Sequence, residues 1–101
     1  MLRDGMPRKG EDPLQELIRY VLGVDRRIFI IKEFQHRAIL QASNIAKKVG
    51  RSLQNISRAL KELEEKGIIT SISPEKRTWK KYILSEKGKQ ILIELKKQGL
   101  I

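Results

Sequence analysis

The sequence predicts a mainly α-helical fold with a small β-hairpin (α+β), because its hydrophobic pattern changes period along the chain. Apolar residues recur at three- and four-residue spacing in most segments, which is typical of helices with one buried face. Near residues 69–84, strand-forming Ile, Thr, Trp and Tyr flank a short polar stretch, which is typical of a hairpin. A chain of 101 residues supports one domain. We expect it to span residues 13–101, after a flexible arm over residues 1–12.

Residues 43–63 predict two helices joined by a tight turn at Gly50, which is a helix-turn-helix. In the first helix one face is apolar and leaves Lys47 and Lys48 in solvent; that face consists of Ile45, Ala46 and Val49. Ser52 suits the N-cap of the second helix, which we expect over residues 52–66. Its buried face is expected to consist of Leu53, Ile56, Leu60 and Leu63.

The opposite face of this second helix carries side chains that can hydrogen bond to base edges or phosphates of DNA. We expect base contacts from Gln54, Asn55 and Arg58. Ser52, Ser57 and Lys61 are expected to lie near the phosphate backbone. An ordinary exposed helix face is the alternative interpretation, and the glycine turn before the helix favours the DNA-binding one.

The net charge of +10, from 22 Lys and Arg against 12 Asp and Glu, favours a polyanionic partner. A merely solvated surface is the alternative, but the helix-turn-helix and the hairpin hold most of the surplus. We therefore expect double-stranded DNA as the partner.

Several function classes are not expected from this sequence. Zero cysteines exclude disulfides and thiolate metal sites. Catalytic arrangements, phosphate loops and metal-ligand spacings are not apparent, so we expect neither an enzyme nor a cofactor or metal. No apolar run is long enough to span a membrane and no signal-peptide pattern is present, so a cytoplasmic, nucleoid-associated protein is expected. A Lys-, Glu- and Ile-rich composition with only two Asn is compatible with a thermophilic source.

A further helix is expected before the helix-turn-helix, with Asp25 as its cap. Its apolar surface consists of Ile28, Phe29, Ile31 and Phe34. His36 near its end is expected to be a surface histidine, because no second His, Cys or carboxylate cluster accompanies it. Residues 38–40 predict a brief strand.

The hairpin over residues 69–84 is expected to begin after Gly67 ends the second helix of the motif. Lys76, Arg77 and Lys80 give it a basic tip, and we expect them, with Lys47 and Arg51, to contact phosphates. Trp79 is expected to pack at the base of the hairpin, with base stacking as the alternative.

These residues carry a resemblance to a known family. Ile45-Ala46 with Val49-Gly50, Ile56-Ser57-Arg58 and residues 63–69 resemble the winged helix-turn-helix of MarR-type and ArsR-type transcriptional regulators, and residues 84–88 resemble the LTxxG that follows the wing in MarR-type proteins. The resemblance covers about residues 29–95 and implies a small regulator that places residues 52–66 in the major groove. One departure is Arg51, where the family usually has an apolar residue; either Leu53 takes over its packing or the turn differs.

Two terminal helices are expected in addition to the winged core. Asp12 and Pro13 predict the start of the first, over residues 13–22, and Gly23 its end. Ser85 predicts the cap of the last, over residues 86–98, and Gly99 its end. Their apolar stripes consist of Leu14, Leu17, Ile18, Val21 and Leu22 in one helix and of Ile91, Leu92 and Leu95 in the other, with Ile93 beside that stripe.

We expect these stripes to form a homodimer interface, because compact winged domains do not need the extra helices and the resemblance to ArsR-type dimers implies the same. No small-molecule effector pocket is evident. Two alternatives remain open: an abundant architectural chromatin-type protein with low sequence specificity, and a winged domain used for protein contacts.

Overall fold

Five α-helices and one two-stranded antiparallel sheet make up the part of the chain that the structure describes, residues 13–72 and 80–101. The computed structural model gives the elements in the order α1 Pro13–Leu22, α2 Asp25–Glu33, α3 Ala42–Val49, α4 Leu53–Glu65, β1 Ile69–Ser71, β2 Tyr82–Leu84 and α5 Glu86–Lys97. The predicted α+β fold class is confirmed. The predicted order of helix, turn, helix and hairpin is also observed.

Helix α4 lies at the centre of the fold and contacts α2, α3 and β1. Its buried residues are Ile56, Ala59, Leu60 and Leu63. The prediction that Leu53 belongs to this face is wrong, since 53% of its surface is exposed. At about 100° per residue, Leu53 lies about 70° from the centre of the buried stripe, and Ala59 belongs to the stripe instead. Leu53 therefore does not take over the packing of the apolar residue that the family usually has at position 51, and that prediction is also wrong.

The turn between α3 and α4 depends on glycine, as predicted. Gly50 adopts a left-handed conformation with φ of 69°, and its N–H donates to the carbonyl of Ala46. A side chain at this φ would be strained, whereas glycine adopts it freely. Ser52 then caps α4, because its side-chain oxygen accepts a hydrogen bond from the Asn55 N–H at 3.1 Å.

Helices α1 and α2 begin close to the predicted positions, and the cap of α2 differs from the predicted one. Helix α1 starts at Pro13, whereas the expected cap, Asp12, lies outside the described residues. Helix α2 has Val24 at its N-cap, without a side-chain hydrogen bond, and Asp25 is its first residue. The prediction of Asp25 as the cap is wrong, because its carboxylate is turned to Arg51 instead.

The hairpin pairs Ile69 with Leu84, Thr70 with Ile83 and Ser71 with Tyr82. On its other side Tyr82 forms a single bridge with Leu40, through N–H···O distances of 3.0 and 2.9 Å. The strand expected over residues 38–40 is therefore reduced to one paired residue. The expected tip of the hairpin, with Lys76 and Arg77, and the position of Trp79 lie outside the described residues.

Ser85 joins the start of α5 to the end of α4. Its side-chain oxygen accepts from the Gly88 N–H at 3.1 Å, which confirms the predicted cap. Its hydroxyl is also within donating distance of the carbonyl oxygens of Gly67 and Ile68, at 2.6 and 2.9 Å. These contacts fix where α5 leaves the hairpin and returns to α1 and α2.

The terminal helices α1 and α5 pack against each other and against α2. Four residues expected at a dimer interface lie in the core of the chain itself, at 2% exposure or less: Ile18, Val21, Ile91 and Leu95. Their assignment to an interface is corrected, because a side chain already buried within its own chain has no surface left to bury against a partner. Leu14, Leu17 and Leu92 remain half-buried at the rim of this core.

Candidate nucleic-acid interface

One face of α4 is polar, and its side chains are exposed. The three expected base-contacting residues, Gln54, Asn55 and Arg58, are exposed, as are Ser57 and Lys61. At about 100° per residue, Gln54, Arg58 and Lys61 lie together on the side opposite the buried stripe. Asn55 lies nearer the flank that faces α2. The structure thus brings a hydrogen-bonding set together on the outer surface of the helix.

The N-terminal ends of α3 and α4 have no acidic residue in their first turns. Acidic side chains usually occupy such positions, because they neutralise the positive end of the helix dipole. Here the first turn of α4 presents Gln54 and Asn55 instead, directly after Arg51 and the Ser52 cap. The positive end of the helix is therefore open to an anion such as a phosphate.

Charge is distributed unevenly along the helix-turn-helix. Residues 42–61 contain five basic residues and no acidic one: Lys47, Lys48, Arg51, Arg58 and Lys61. Acidic residues follow at the other end of α4, at positions 62, 64 and 65, and its last turn has no basic residue. This order is unfavourable for the helix dipole, which prefers cations at the C-terminal end. It does concentrate the positive potential at the N-terminal half of α4.

Two of these cations are paired with acidic residues of α2. Arg51 donates to Asp25 at 2.5 Å, and its guanidinium carbon lies 5.5 Å from the ring centre of Phe29. Lys48 pairs with the buried Glu33 at 3.2 Å. The phosphate contact predicted for Arg51 would therefore compete with Asp25. Sequence reasoning missed both pairs, because their partners lie 26 and 15 residues apart.

Lys47, Arg58 and Lys61 have no acidic partner within ion-pair distance among residues 13–72 and 80–101. All three are exposed. Beside α3, the side chains of Arg37, Lys47 and Lys48 line an open groove with Asn44 and Glu33. The unpaired cations thus occupy the outer surface of both helices of the motif.

A half-buried arginine joins α4 to α1. The Arg27 guanidinium lies 3.7 Å from the ring centre of Tyr20 and donates to the Tyr20 carbonyl at 2.7 Å. It also donates to Glu62 of α4 at 3.1 Å. The Nζ atom of Lys66 lies 5.0 Å from the centre of the same Tyr20 ring. Periodicity gave no signal for this cluster, because its members come from three different segments.

The described base of the hairpin adds two lysines, of which Lys80 is half-buried and Lys81 exposed. Tyr82 follows these lysines in the chain. Burial raises the pKa of its hydroxyl, and the negative charge of Glu64 raises that pKa further. Tyr82 therefore stays neutral at physiological pH.

The described residues offer neither a metal site nor a membrane span. Within residues 13–72 and 80–101 no three His, Asp or Glu side chains come close enough together to hold a metal ion. No helix in those ranges is both long and apolar enough to cross a membrane. His36 is exposed in the turn after α2.

The match to a family model decides the nature of this motif. Residues 25–70 match the model described as winged helix-turn-helix DNA-binding, which includes α2, α3, α4 and the start of the hairpin. Residues 25–70 thus have the sequence pattern of a winged helix-turn-helix DNA-binding domain. The expectation drawn from the residues of the turn and of α4 is thereby confirmed. Helix α4 and the hairpin are the elements expected to serve as recognition helix and wing.

Two solved structures resemble the whole chain. The AntR antimony-specific transcriptional repressor superimposes with a TM-score of 0.68 at 17% sequence identity, covering 98% of this chain and 92% of AntR. NadR in complex with 4-hydroxyphenylacetate superimposes with a TM-score of 0.65 at 15% identity, covering 96% of this chain and 77% of NadR. No curated protein matches the sequence. At these identities the structural likeness establishes the fold, including helices beyond the winged domain.

Proposed function

We propose that this chain is a small transcriptional regulator that binds double-stranded DNA through α4 in the major groove and through its wing on the phosphate backbone. The observation that carries the proposal is the outer surface of α4. It combines exposed Gln54, Asn55 and Arg58 with a helix N-terminus free of acidic residues, inside a domain that matches a DNA-binding family. The similarity of the fold to the AntR antimony-specific transcriptional repressor supports the same conclusion.

Base reading is assigned to Gln54, Asn55 and Arg58, because amide and guanidinium groups can pair with the major-groove edges of adenine and guanine. Phosphate contacts are assigned to Lys47, Ser52, Ser57 and Lys61, with Lys76, Arg77 and Lys80 of the wing. Arg51 belongs to this set if a phosphate displaces Asp25 from its guanidinium.

The proposed assembly is a homodimer formed by the terminal helices, with a smaller interface than the sequence predicted. The apolar surface left for it consists of half-buried Leu14, Leu17 and Leu92 and of the exposed Ile93 and Leu100. A two-fold dimer would place two recognition helices on an inverted repeat with half-sites about 10 base pairs apart, or a multiple of that spacing.

The primary test is selection of duplexes from a random pool, followed by titration of the selected site and a scrambled duplex at two salt concentrations. We expect a selected site bound at least about 10³-fold more tightly than scrambled DNA. A ratio near one, with tight binding to every sequence, would favour the architectural alternative. No binding to any duplex would leave the protein-contact alternative.

Replacing Arg58 by Ala tests base reading in the same assay. We expect a loss of about 1–3 kcal/mol on the selected site and a relaxed preference at one base position. Lys96→Ala is the charge-matched control, because Lys96 is exposed on α5, which packs on α1, α2 and β2. Equal effects of the two changes would contradict the placement of Arg58 at a base.

The wing is tested by the salt dependence of binding. Each lost phosphate contact should reduce the slope of log affinity against log salt by about 0.9, so the triple change Lys76→Ala, Arg77→Ala and Lys80→Ala should reduce it by about 2.7. The reduction should be the same on selected and scrambled DNA. If the triple variant kept the wild-type slope, the wing would not contact the DNA backbone.

The dimer is tested by sedimentation at micromolar concentration. We expect a dimer for the wild type and a monomer for Leu17→Glu with Leu92→Glu, which charges half-buried positions at the rim of the core; circular dichroism verifies that the variant folds. Ile39→Glu is the control, because Ile39 is 48% exposed and lies outside the terminal helices. A monomeric wild-type protein would overturn the dimer.

A further inference from the structure

Leu53 is an exposed apolar side chain at the start of the recognition helix. It is the first residue of α4, directly after the Ser52 cap, and 53% of its surface is exposed. The next two residues in the chain are Gln54 and Asn55, both exposed. One apolar side chain therefore lies beside the polar groups to which base contacts are assigned.

The packing of α4 does not account for a leucine at this position. The buried stripe of α4 is complete without it, and its four members are each 1% exposed or less. Leu53 also does not cap the helix, because the Ser52 side chain performs that role. A polar residue such as Ser or Gln would leave the described packing unchanged and would be better solvated.

The major groove offers a specific apolar partner at this place. The C5-methyl of thymine is the one apolar group that a base edge presents there, and it distinguishes thymine from the other bases. The first turn of a recognition helix is also the part that approaches base edges in helix-turn-helix proteins. With no acidic side chain in this turn, DNA can approach it without charge repulsion.

We propose that Leu53 is a specificity-determining residue that contacts the 5-methyl group of a thymine next to the base read by Gln54. This inference rests on the proposed DNA-binding function and adds a base preference to it. Leu53 lies about 40° from Ser57 around the helix and about 100° from Gln54. The leucine therefore lies on the flank of the helix that carries Ser57, and its place in the first turn is what brings it near the base edges.

The size of the effect follows from the area of a methyl group. Burying one CH₂ or CH₃ unit is worth about 0.8 kcal/mol, which corresponds to about a fourfold change in affinity. Removal of the thymine methyl should weaken wild-type binding by this factor at each contacted half-site. Truncation of Leu53 should remove the sensitivity to that methyl.

The test replaces each thymine of the selected duplex by deoxyuridine, one at a time, since this removes the methyl and leaves base pairing intact. Wild-type protein and Leu53→Ala are titrated against every duplex. We expect one position per half-site at which the wild type loses about fourfold in affinity and Leu53→Ala loses none. Leu53→Met, which retains an apolar side chain, should restore part of the sensitivity.

Ile39→Ala is the matched control, because it truncates another half-exposed apolar residue outside α4 and should keep the full wild-type sensitivity. Thermal unfolding of all variants verifies that they fold. If the wild type binds its selected site but shows the same deoxyuridine profile as Leu53→Ala, the inference fails and the proposed function stands. In that case an apolar protein surface becomes the candidate partner of Leu53. If the wild type binds no duplex, both fail.

Discussion

Replacing Gly88 by Ala should destabilise the fold strongly, because α5 approaches the hairpin too closely at this position to admit a side chain. Gly88 lies in the first turn of α5, where a Cβ would overlap the carbonyl oxygen of Ile68 and lie 2.7 Å from Cδ2 of Leu84. The Ile68 carbonyl is held in place, because it accepts from the Ser85 N–H at 3.0 Å and from the Ser85 hydroxyl at 2.9 Å. The helix must therefore move away from the hairpin.

The magnitude follows from two contributions. Overpacking of this kind costs about 1–3 kcal/mol, and disturbing two hydrogen bonds costs about 0.5–1.5 kcal/mol each. Against this, Ala favours the helix over Gly by about 1 kcal/mol. We expect a net loss of about 1–5 kcal/mol in the free energy of unfolding. For a domain near 100 residues this lowers Tm by roughly 5–25 °C.

Thermal unfolding followed by circular dichroism measures this loss, with urea unfolding as the second measurement. Gly23→Ala is the matched control, because φ at Gly23 lies outside the positive range and its Cβ would meet the Arg19 carbonyl oxygen at an acceptable 3.4 Å. We expect a change of less than about 1 kcal/mol there. If Gly88→Ala and Gly23→Ala had equal stability, the close approach of α5 to the hairpin would be refuted.

The remaining predictions concern the hairpin base and the Arg27 cluster. Because burial raises the pKa of Tyr82 above 10.0, folding favours its protonated form. The contribution of Tyr82 to stability is complete below pH 10 and is lost as pH rises through the folded-state pKa. The free energy of unfolding should therefore fall more steeply above pH 10 in the wild type than in Tyr82→Phe; parallel curves would contradict this. Arg27→Ala should cost about 2–3 kcal/mol, because it leaves Glu62 and the Tyr20 carbonyl without their donor. Arg26→Ala, which loses one 3.8 Å surface pair, should cost less than about 0.5 kcal/mol, and similar losses would show that the Arg27 contacts contribute little.

Sequence reasoning located the elements well wherever the determining interactions are local. The Ser52 and Ser85 caps act within three residues, and Gly50 and Gly67 adopt the positive φ that ends a helix. The LTxxG-like stretch also has a physical explanation in the structure. Its serine caps α5 and its glycine allows α5 to approach the Ile68 carbonyl. The residues that carry the resemblance are therefore those whose conformation or size the winged fold restricts.

Most of the exposed candidate site could be predicted for the same reason. Once α4 is placed by its cap and its apolar spacing, the positions of Gln54, Arg58 and Lys61 on one outer face follow from helix geometry. The net charge and its concentration in residues 42–61 are properties of the sequence alone. Prediction failed at Leu53, because spacing alone does not fix the limits of a buried stripe, and packing against neighbouring elements decides them.

The sequence by itself thus determined the order of elements, the ends of the central helices and the chemistry of the α4 surface. Only the tertiary structure decided what each apolar face packs against. An amphipathic stripe indicates that a helix face is buried but not which element covers it. For this reason Ile18 and Leu95 were predicted to contact a second subunit, whereas they lie in the core of their own chain. Contacts between distant segments are equally invisible to periodicity. The Arg27 cluster and the Arg51–Asp25 pair form only when α1, α2 and α4 come together, because each joins charges that helical spacing does not relate.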